Sequence, residues 1–391
     1  MISVENFYWV LYENLLKPAG IDCWYYFPFG TTQNLSNVGV FSEWHPLYEH
    51  HALFHFDQEP ILSTSLGKPY DEPLPCSHRT KILKLLANSE HSLIKKQICR
   101  ERTMADWYYF YHGFAAHDWF RDARYLKDHQ APKKVFCSFN HLTDRMRSYR
   151  MALTARLAEK RLLDYADMSF HATRKTCQEE ICSGISRLSD SSKQVIQTQL
   201  VDSDRTLPII LDHAKIDGSF SARFGREEYQ IWQNSFWHVV NETVFYDSKL
   251  HLTEKIFKPI VSCRPFILVA APGNLKYLTS YGFKTFDRWI DESYDDIHDP
   301  DLRLEAVVKN LEYLCNLSFA QLTDMLYDMT DVLVYNKNHF FNQFQHLIVD
   351  ELVDNFDGCV KVWNNGFLNP DRLVRHGYNT EGIKNLLKLS A

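Results

Sequence analysis

Two consecutive strand-then-helix patterns between residues 235 and 283 constrain the fold more than any other feature of this sequence. The stretches "FWHVVNET" and "PFILVAA" have the apolar character of buried strands. After each of them, apolar residues recur at helical spacing, in "TEKIFKPIVS" and in "GNLKYLTSYGF". Upstream, "KVFCSF", "ADMSF" and "LPIIL" predict further strands, and "RMRSYRMALTARLAEKRLL" predicts a helix. Strands that alternate with helices predict a parallel α/β architecture.

The length of 391 residues favours two domains rather than one small core. A polar, proline-containing stretch at residues 127–134 separates an aromatic-rich region from the first of the strands above, so we place a linker there. The predicted domains are residues 1–126 and residues 135–335. Residues 336–391, which are mostly helical in pattern and aromatic, are expected to pack back on the first domain.

The overall charge offers no global attraction for nucleic acid, because the formal net charge is −6. A local basic cluster nevertheless lies between Arg79 and Arg102, with only Glu90 and Glu101 opposing it. The cluster predicts either a solvated helix face or a track of phosphate contacts. The residues of the cluster that are candidates for contacts with DNA phosphates are Arg79, Lys81, Lys84, Lys95 and Lys96.

The nine cysteines show no metal-binding or redox spacing, so the sequence predicts no metal centre. An odd cysteine count, no signal peptide and no long apolar run predict a soluble protein of the reducing cytoplasm without a membrane span. Aromatic residues make up 14% of the chain and are dense in its N-terminal third. They predict core packing there or a stacking surface for a sugar or a base.

The segment "HLTEKIFKP" places three charged residues in the first turns of a predicted helix. Thr253 is a favourable N-cap, and the helix is predicted to run from Glu254 to about Ser262. The apolar face that packs on the sheet consists of Ile256, Phe257, Ile260 and Val261. The charges have a structural explanation in part, since Glu254 and Lys258 can form an i, i+4 pair. Lys255, however, lies where the helix dipole disfavours a cation.

A lysine beside the N–H groups of a first helical turn makes a favourable diphosphate site, because the amides and the ammonium attract the same anion. A neighbouring glutamate can accept hydrogen bonds from ribose hydroxyls. Glu254 and Lys255 together therefore predict a site for a nucleoside diphosphate.

The same segment resembles the Thr-Glu-Lys motif of the fucosyltransferase-like glycosyltransferases, whose two Rossmann-like domains face each other across a cleft in the GT-B architecture. "KKVFCSFN" followed by "RMRSYRMAL" is similar to the strand, asparagine and arginine-bearing helix that open the donor domain of that family. "LTEKIFKPIVSCRPFILVAAPGNLKYLTSYGFKTF", together with "HFDQEP" and "YHGF", resembles glycosyltransferase-like proteins of tailed bacteriophages still more closely. The resemblance covers roughly residues 50–300 and is densest over 235–290.

This resemblance implies an acceptor-side domain at residues 1–126 and a nucleotide-sugar (donor) domain at residues 135–335. By position, Glu254 would bind the donor ribose and Lys255 the donor phosphates. Either Arg147 or Arg150, both on the arginine-bearing helix, would neutralise the leaving diphosphate.

Three further residues belong to the predicted donor site. Thr253 begins the motif, and Glu242 ends a predicted strand and is expected to face the sugar hydroxyls. His251 stands where the family tends to have a tyrosine, so the base and the sugar of the donor stay open. The donor is expected to be a UDP-, GDP- or CMP-linked sugar, and no further cofactor is required.

The reaction needs a base that takes the proton of the acceptor hydroxyl. The first candidates are Asp57 and Glu59, which follow the predicted strand "ALFHF", because ligands bind at the carboxyl ends of parallel strands. Burial beside that apolar strand would raise the pKa of such a carboxylate. His117 and Asp118 are the reserve candidates.

The acceptor stays open between a hydroxymethylated base in double-stranded phage DNA, modified in the host cytoplasm, and a glycan. One alternative function is a metal-dependent transferase of the GT-A type that uses the carboxylates of Asp202 and Asp204. Another is a carbohydrate- or nucleic-acid-binding protein without catalytic activity on a transferase fold.

Overall fold

The computed structural model describes residues 14–15, 52–57, 83–88, 104–108, 110–126, 131–210, 229, 232–246 and 250–354. For residues 52–57, 83–88 and 104–108, and for Tyr111 and Asp118, the description covers the backbone. The chain divides into two compact units, of which one is Met1–Asp118 with Gln345–Ala391 and the other is Trp119–Phe344.

The first unit contains a parallel sheet of three strands in the order β1-β2-β3. These strands are β1 (Ala52–Asp57), β2 (Leu83–Asn88) and β3 (Met104–Tyr108). Helix α1 (Tyr111–Trp119) follows them. The strand predicted from "ALFHF" is confirmed, and Asp57 is its last residue.

The second unit contains a parallel sheet of four strands in the order β5-β4-β6-β7. The strands are β4 (Lys134–Asn140), β5 (Ala166–Phe170), β6 (Ser235–Asn241) and β7 (Phe266–Val269). Every residue of β5, β6 and β7 is buried, as expected of a parallel sheet that helices cover. The sequence predicted all four strands because each is a short apolar run. The predicted parallel α/β class is confirmed, and the unit is compatible with a Rossmann-like fold.

Helices alternate with these strands and then continue beyond them. They are α2 (Tyr149–Glu159), α3 (Arg174–Cys182), α4 (Asp190–Ile196), α5 (Glu254–Val261), α6 (Asn274–Ser280), α7 (Pro300–Cys315), α8 (Phe319–Asp328) and α9 (Thr330–His339). Of the predicted strand "LPIIL", the described part forms a single antiparallel bridge between Phe170 and Ile209. Within the described residues, no helix has both the length and the apolar character needed to cross a membrane.

Helix α5 packs through the apolar face that the sequence predicts. The ring of Phe257 lies 5.2 Å from the ring centroids of both Phe340 and Phe344. The charged residues of α5 are less exposed than a solvated face would be, since Glu254 is 5% exposed and Lys258 is 4% exposed. Lys258 Nζ lies 5.2 Å from the centroid of the Trp232 ring, so its ammonium contacts an aromatic face.

Candidate functional site

The chain changes direction across the second sheet between β4 and β6. From β4 it passes through α2 to β5 on one side, and it later returns to the other side of β4 as β6. In α/β proteins, ligands bind at the carboxyl ends of the strands at such a switch point. Residues 141–148 leave β4 here, and residues 242–246 leave β6.

Two buried asparagines mark the switch point, Asn140 at the end of β4 and Asn241 at the end of β6. Their Nδ2 atoms donate to the same acceptor, Ser138 Oγ, over 3.2 and 2.9 Å. Among the described residues, no group donates a hydrogen bond to the Oδ1 atom of either asparagine. Because buried acceptors are almost always hydrogen-bonded, these two oxygens indicate a donor beyond the described residues around them.

Arg150 connects the backbone on the two sides of the switch point. Its Nη1 donates to Leu142 O over 2.7 Å, and its Nη2 donates to Asn241 O over 2.7 Å and to Glu242 O over 3.1 Å. The neighbouring Tyr149 hydroxyl donates to Glu242 O over 2.5 Å and accepts from Arg150 Nε over 3.3 Å. Arg150 is 4% exposed, and its hydrogen bonds fix the positions of both loops.

Glu242 follows β6 directly, and its side chain is completely buried. Its Oε1 accepts from Thr253 N over 3.0 Å, and its Oε2 accepts from Thr253 Oγ1 over 2.5 Å. Burial raises the pKa of Glu242 above the ordinary value, although the charge of Lys255 and the hydrogen bonds from Thr253 act in the opposite direction. The side chain thus connects the end of β6 to the start of α5.

Thr253 is the N-cap of α5, as predicted from the sequence. Its Oγ1 accepts from Lys255 N over 3.4 Å and from Lys255 Nζ over 3.1 Å. The ammonium of Lys255 also lies 3.1 Å from Glu254 Oε1. The side chain of Lys255 is 32% exposed and that of Glu254 only 7%, so Lys255 is the member of this pair that a ligand can reach most easily.

Among the described residues, this cluster holds more carboxyl groups than ammonium groups. The carboxyl groups of Glu242 and Glu254 both lie beside the ammonium of Lys255. The charge of Glu254 itself contributes to the raised pKa of Glu242.

His251 lies behind the site rather than at its surface, since it is completely buried. Its backbone N–H donates to Asn274 Oδ1 over 2.7 Å, at the start of α6. The turn before α6 contains Gly273 with φ +81°, a left-handed conformation that favours glycine. The loop before Thr253 is therefore held against the turn that follows β7.

The structure brings four of the predicted donor-site residues into direct contact: Glu242, Thr253, Glu254 and Lys255. Arg150 binds the backbone behind Glu242. Arg147 lies on the loop that follows β4, in a half-buried single turn of 3-10 helix that precedes α2.

The predicted catalytic residues belong to the other unit. Asp57 ends β1, and His117 is buried within α1, which also contains Asp118. Glu59 lies outside the described residues. Of the predicted phosphate contacts, Lys84 lies in β2. Outside the described residues are Arg79, Lys81, Lys95 and Lys96.

The sequence reasoning missed the roles of Ser138, the two asparagines and Tyr149. A polar residue that closes an apolar strand was visible in "KVFCSFN" and in "VVNET", and it could have indicated both asparagines. Tyr149 gave no local signal, because its hydroxyl contacts a carbonyl 93 residues away.

The proposed metal motif of a GT-A transferase has a different setting. Asp202 and Asp204 are both exposed and follow a helical segment, Gln197–Val201, rather than a strand. Asp202 Oδ1 accepts from Gln197 Nε2 over 2.8 Å. Within the described parts of the chain, no three His, Cys, Asp or Glu side chains form a group suited to a metal ion.

No protein-family model, no curated protein and no solved structure matches this chain. Any functional conclusion therefore depends on the geometry and the chemistry of the site itself.

Proposed function

We propose that this protein is a glycosyltransferase that moves a sugar from a nucleotide-sugar donor to an acceptor hydroxyl. The donor site is the switch point between β4 and β6, with the first turn of α5. The observation that carries the proposal is the position of Lys255, whose partly exposed ammonium lies in the first turn of a helix at the carboxyl edge of a parallel sheet.

The donor diphosphate is assigned to Lys255 and to the N–H groups of the first turn of α5. The positive end of the helix dipole adds to the attraction for an anion there. Lys255 Nζ already makes two hydrogen bonds to oxygen atoms, and a phosphate oxygen can replace either of them.

The structure favours Arg147 over Arg150 as the second cation for the leaving diphosphate. Arg150 is buried and donates to three backbone carbonyls, so moving it to a phosphate would release both loops. Arg147 is half-buried at the same edge of the sheet. We assign the phosphate contact to Arg147 and a positioning role to Arg150.

The hydroxyl groups of a nucleotide sugar match the acceptors at this edge. Glu254 is assigned to the ribose, next to the phosphates. The Oδ1 atoms of Asn140 and Asn241 are assigned to hydroxyls of the transferred sugar, which would satisfy these two buried acceptors.

In the proposed reaction, the acceptor oxygen attacks the anomeric carbon of the sugar, the bond to the diphosphate breaks, and the proton of the acceptor moves to a base. The base is assigned to Asp57 or Glu59 of the first unit, with His117 and Asp118 as alternatives. A GT-B arrangement, in which that unit carries the acceptor, is part of the proposal. It is supported by the presence of a parallel sheet in each unit.

The test is a thermal-shift screen of the protein with UDP-, GDP- and CMP-sugars. A ligand at a hundred times its dissociation constant stabilises the folded state by about 2.7 kcal/mol, which raises the melting temperature measurably. Lys255→Ala is expected to abolish that shift. Lys175→Ala is the matched control, because Lys175 is likewise the second residue of a threonine-capped helix, α3, and is 83% exposed.

If no nucleotide sugar stabilises the protein, or if Lys255→Ala keeps the full shift, the donor site is wrong. If a nucleotide sugar binds but is neither transferred nor hydrolysed with any acceptor, the protein is a binding module. The two acceptor classes are separated by electrophoretic retardation of hydroxymethylated and unmodified DNA, measured at increasing salt.

A further inference from the structure

We infer that the Thr253 hydroxyl is a hydrogen-bond switch, and that a phosphate group binds at the first turn of α5 together with one proton that Glu242 takes up from solvent. Glu242 is then a positioning residue that controls Lys255 through Thr253. The inference rests on the proposed function only in the identity of the anion, because any phosphate-like anion would operate the same switch.

The hydrogen-bonding capacity of Thr253 Oγ1 is completely used in the structure. A hydroxyl has one hydrogen to donate and two lone pairs that accept. Its hydrogen goes to Glu242 Oε2 at 2.5 Å, and its lone pairs accept from Lys255 N at 3.4 Å and Lys255 Nζ at 3.1 Å. The Lys255 ammonium is thereby held against the protein.

Protonation of Glu242 on Oε2 reverses this pattern. The new O–H can donate to Thr253 Oγ1, while Oε1 continues to accept from Thr253 N. Thr253 Oγ1 then has one lone pair left for Lys255, and the backbone N–H of that residue takes it. Lys255 Nζ loses this acceptor, and the hydrogen of the Thr253 hydroxyl loses Glu242. Both donors can turn to the same phosphate oxygen.

The charges around the site explain why an anion needs the proton. Lys255 and Glu254 of α5 face the Glu242 side chain, and from α2 the Tyr149 hydroxyl and the Arg150 guanidinium bind its carbonyl oxygen. Even with Arg147 on the diphosphate, a phosphate oxygen that approaches Lys255 meets the ionised carboxylates of both Glu242 and Glu254 beside that ammonium. Protonation of Glu242 removes the charge that has no contact with solvent.

The proton is placed on Glu242 rather than Glu254 for two reasons. Glu242 is completely buried and its pKa is raised mainly by that burial, which favours its neutral form. An anion that draws Lys255 away also removes the charge that stabilises the ionised form of Glu242. Binding of the anion and binding of the proton therefore favour each other.

The experiment uses two kinds of probe on the full-length protein. UDP-glucose and GDP-mannose are titrated calorimetrically between pH 6 and pH 8.5 in buffers that differ in ionisation enthalpy, because their phosphates do not titrate in this range. Sodium sulfate, which is also fully ionised there, is tested by thermal shift at the same pH values. Sulfate stabilises proteins generally, so the readout is the difference between wild type and variant.

For the wild type, we expect uptake of up to one proton on binding and an affinity that falls by up to about tenfold per pH unit as the pH rises. Glu242→Gln mimics the protonated acid, because its amide can donate to Thr253 Oγ1. It is expected to bind without proton uptake, with an affinity nearly independent of pH and higher than that of the wild type at pH 8.5. Thr253→Ser should keep the coupling and Thr253→Val should abolish it, which provides a second route if Glu242→Gln does not fold.

Equal proton uptake by the wild type and Glu242→Gln would overturn the inference, and so would an affinity of the wild type that does not depend on pH. The absence of binding by all three probes would also overturn it. If sulfate binding depends on pH through Glu242 while neither nucleotide sugar binds, the hydrogen-bond switch is supported and the nucleotide-sugar function is contradicted. If a nucleotide sugar binds without uptake of a proton, the donor site is supported and the hydrogen-bond switch is contradicted.

Discussion

Two carboxylates of the second unit, Asp301 and Glu242, have similar hydrogen-bond partners, yet their pKa values are shifted in opposite directions. Each accepts a hydrogen bond from the hydroxyl of a helix N-cap, Ser189 of α4 for Asp301 and Thr253 of α5 for Glu242. The pKa of Asp301 lies below its ordinary value, whereas the pKa of Glu242 lies above it. The difference comes from what surrounds the shared motif.

Asp301 belongs to a cluster whose charges match. Arg156 Nη2 donates to Asp301 Oδ1 over 2.9 Å, Ser192 Oγ donates to the same oxygen over 2.6 Å, and Arg156 Nη1 donates to Ser192 Oγ over 3.0 Å. Burial alone would raise the pKa of Asp301, but the hydrogen bonds from Ser189 and Ser192 and the charge of Arg156 outweigh it. This arrangement is complete, and it holds α2, α4 and α7 together.

Within the part of the chain that the structure describes, the cluster of Glu242 has one ammonium, that of Lys255, for two carboxyl groups, and Lys255 is partly exposed. Burial dominates its electrostatics because Lys255 is shared with Glu254. A balanced cluster is best explained by stability, whereas an unbalanced one beside a switch point is the kind of site that a ligand completes. The predictions below test that distinction.

Removal of the cation should have its largest effect at the balanced cluster. Arg156→Met removes a buried guanidinium from Asp301, whose side chain is 24% exposed, and also the hydrogen bond to Ser192, so we expect it to lower the free energy of unfolding by about 2 kcal/mol. Lys255→Met should lower it by less than about 1 kcal/mol, because Lys255 is partly exposed and Glu242 can bind a proton instead. Urea unfolding at pH 7 measures both values. Equal losses would contradict the comparison.

For ligand binding, in contrast to stability, we expect the larger effect at the Glu242 cluster. Lys255→Ala is expected to weaken binding of the nucleotide sugar about a hundredfold, which corresponds to about 2.7 kcal/mol. Calorimetric titration measures the change. Lys175→Ala, the matched substitution on α3, should leave the affinity within about twofold. A similar loss in both variants would show that the effect reflects surface charge in general.

The pH dependence of stability should have opposite signs at the two carboxylates. The folded-state pKa of Glu242 is raised, so its stabilising contribution is complete below the unfolded pKa and is lost as the pH rises through the folded value. The folded-state pKa of Asp301 is lowered, so the stability that Asp301 contributes is complete above its unfolded pKa. This stability is lost as the pH falls through its folded-state pKa. Glu242→Gln should therefore be more stable than the wild type at pH 8.5, and Asp301→Asn should be less stable there.

Thermal unfolding between pH 4 and pH 8.5 measures these differences. Burial also raises the pKa of Glu292, to about 7, and this residue adds a further loss of stability as the pH rises through neutrality. Glu292→Gln serves as the control that separates its contribution. Parallel pH profiles for Glu242→Gln and the wild type would contradict the raised pKa of Glu242.

The two N-cap substitutions should have similar, modest effects on stability and should differ in their effect on anion binding. Ser189→Ala and Thr253→Val each remove a capping hydroxyl, so each should lower the free energy of unfolding by about 1 kcal/mol. Only Thr253→Val should also change the pH dependence of anion binding. Thermal unfolding with and without sulfate checks both points, and a sulfate effect for Ser189→Ala equal to that for Thr253→Val would remove the distinction.

The local features of this region were readable from the sequence. The apolar runs of β4 to β7, the Thr253 cap and the buried face of α5 depend on neighbours within a few residues, and all are confirmed. The α/β class follows from their order. The GT-B arrangement, the glycosyltransferase activity and the roles of the first unit stay predictions.

The contacts that define the site could not be read in the same way. Arg150 looked like a phosphate ligand because the sequence does not show that its guanidinium meets carbonyls 91 and 92 residues away. Glu242 lies 11 residues from Thr253, on a different element, and no local pattern joins them. The burial of Glu254 likewise depends on tertiary packing. The sequence pattern predicted the helix and its N-cap correctly and did not show the contacts between elements.

The bonds of Arg150 have a consequence for how this site can vary. All three of its carbonyl partners belong to the main chain, at positions 142, 241 and 242, and a main-chain oxygen is the same in every residue. The side chain at position 142, which is 50% exposed, can therefore change without loosening the connection between the loops. Substitutions at this exposed position can therefore change what the loop contacts without moving the main chain that Arg150 binds.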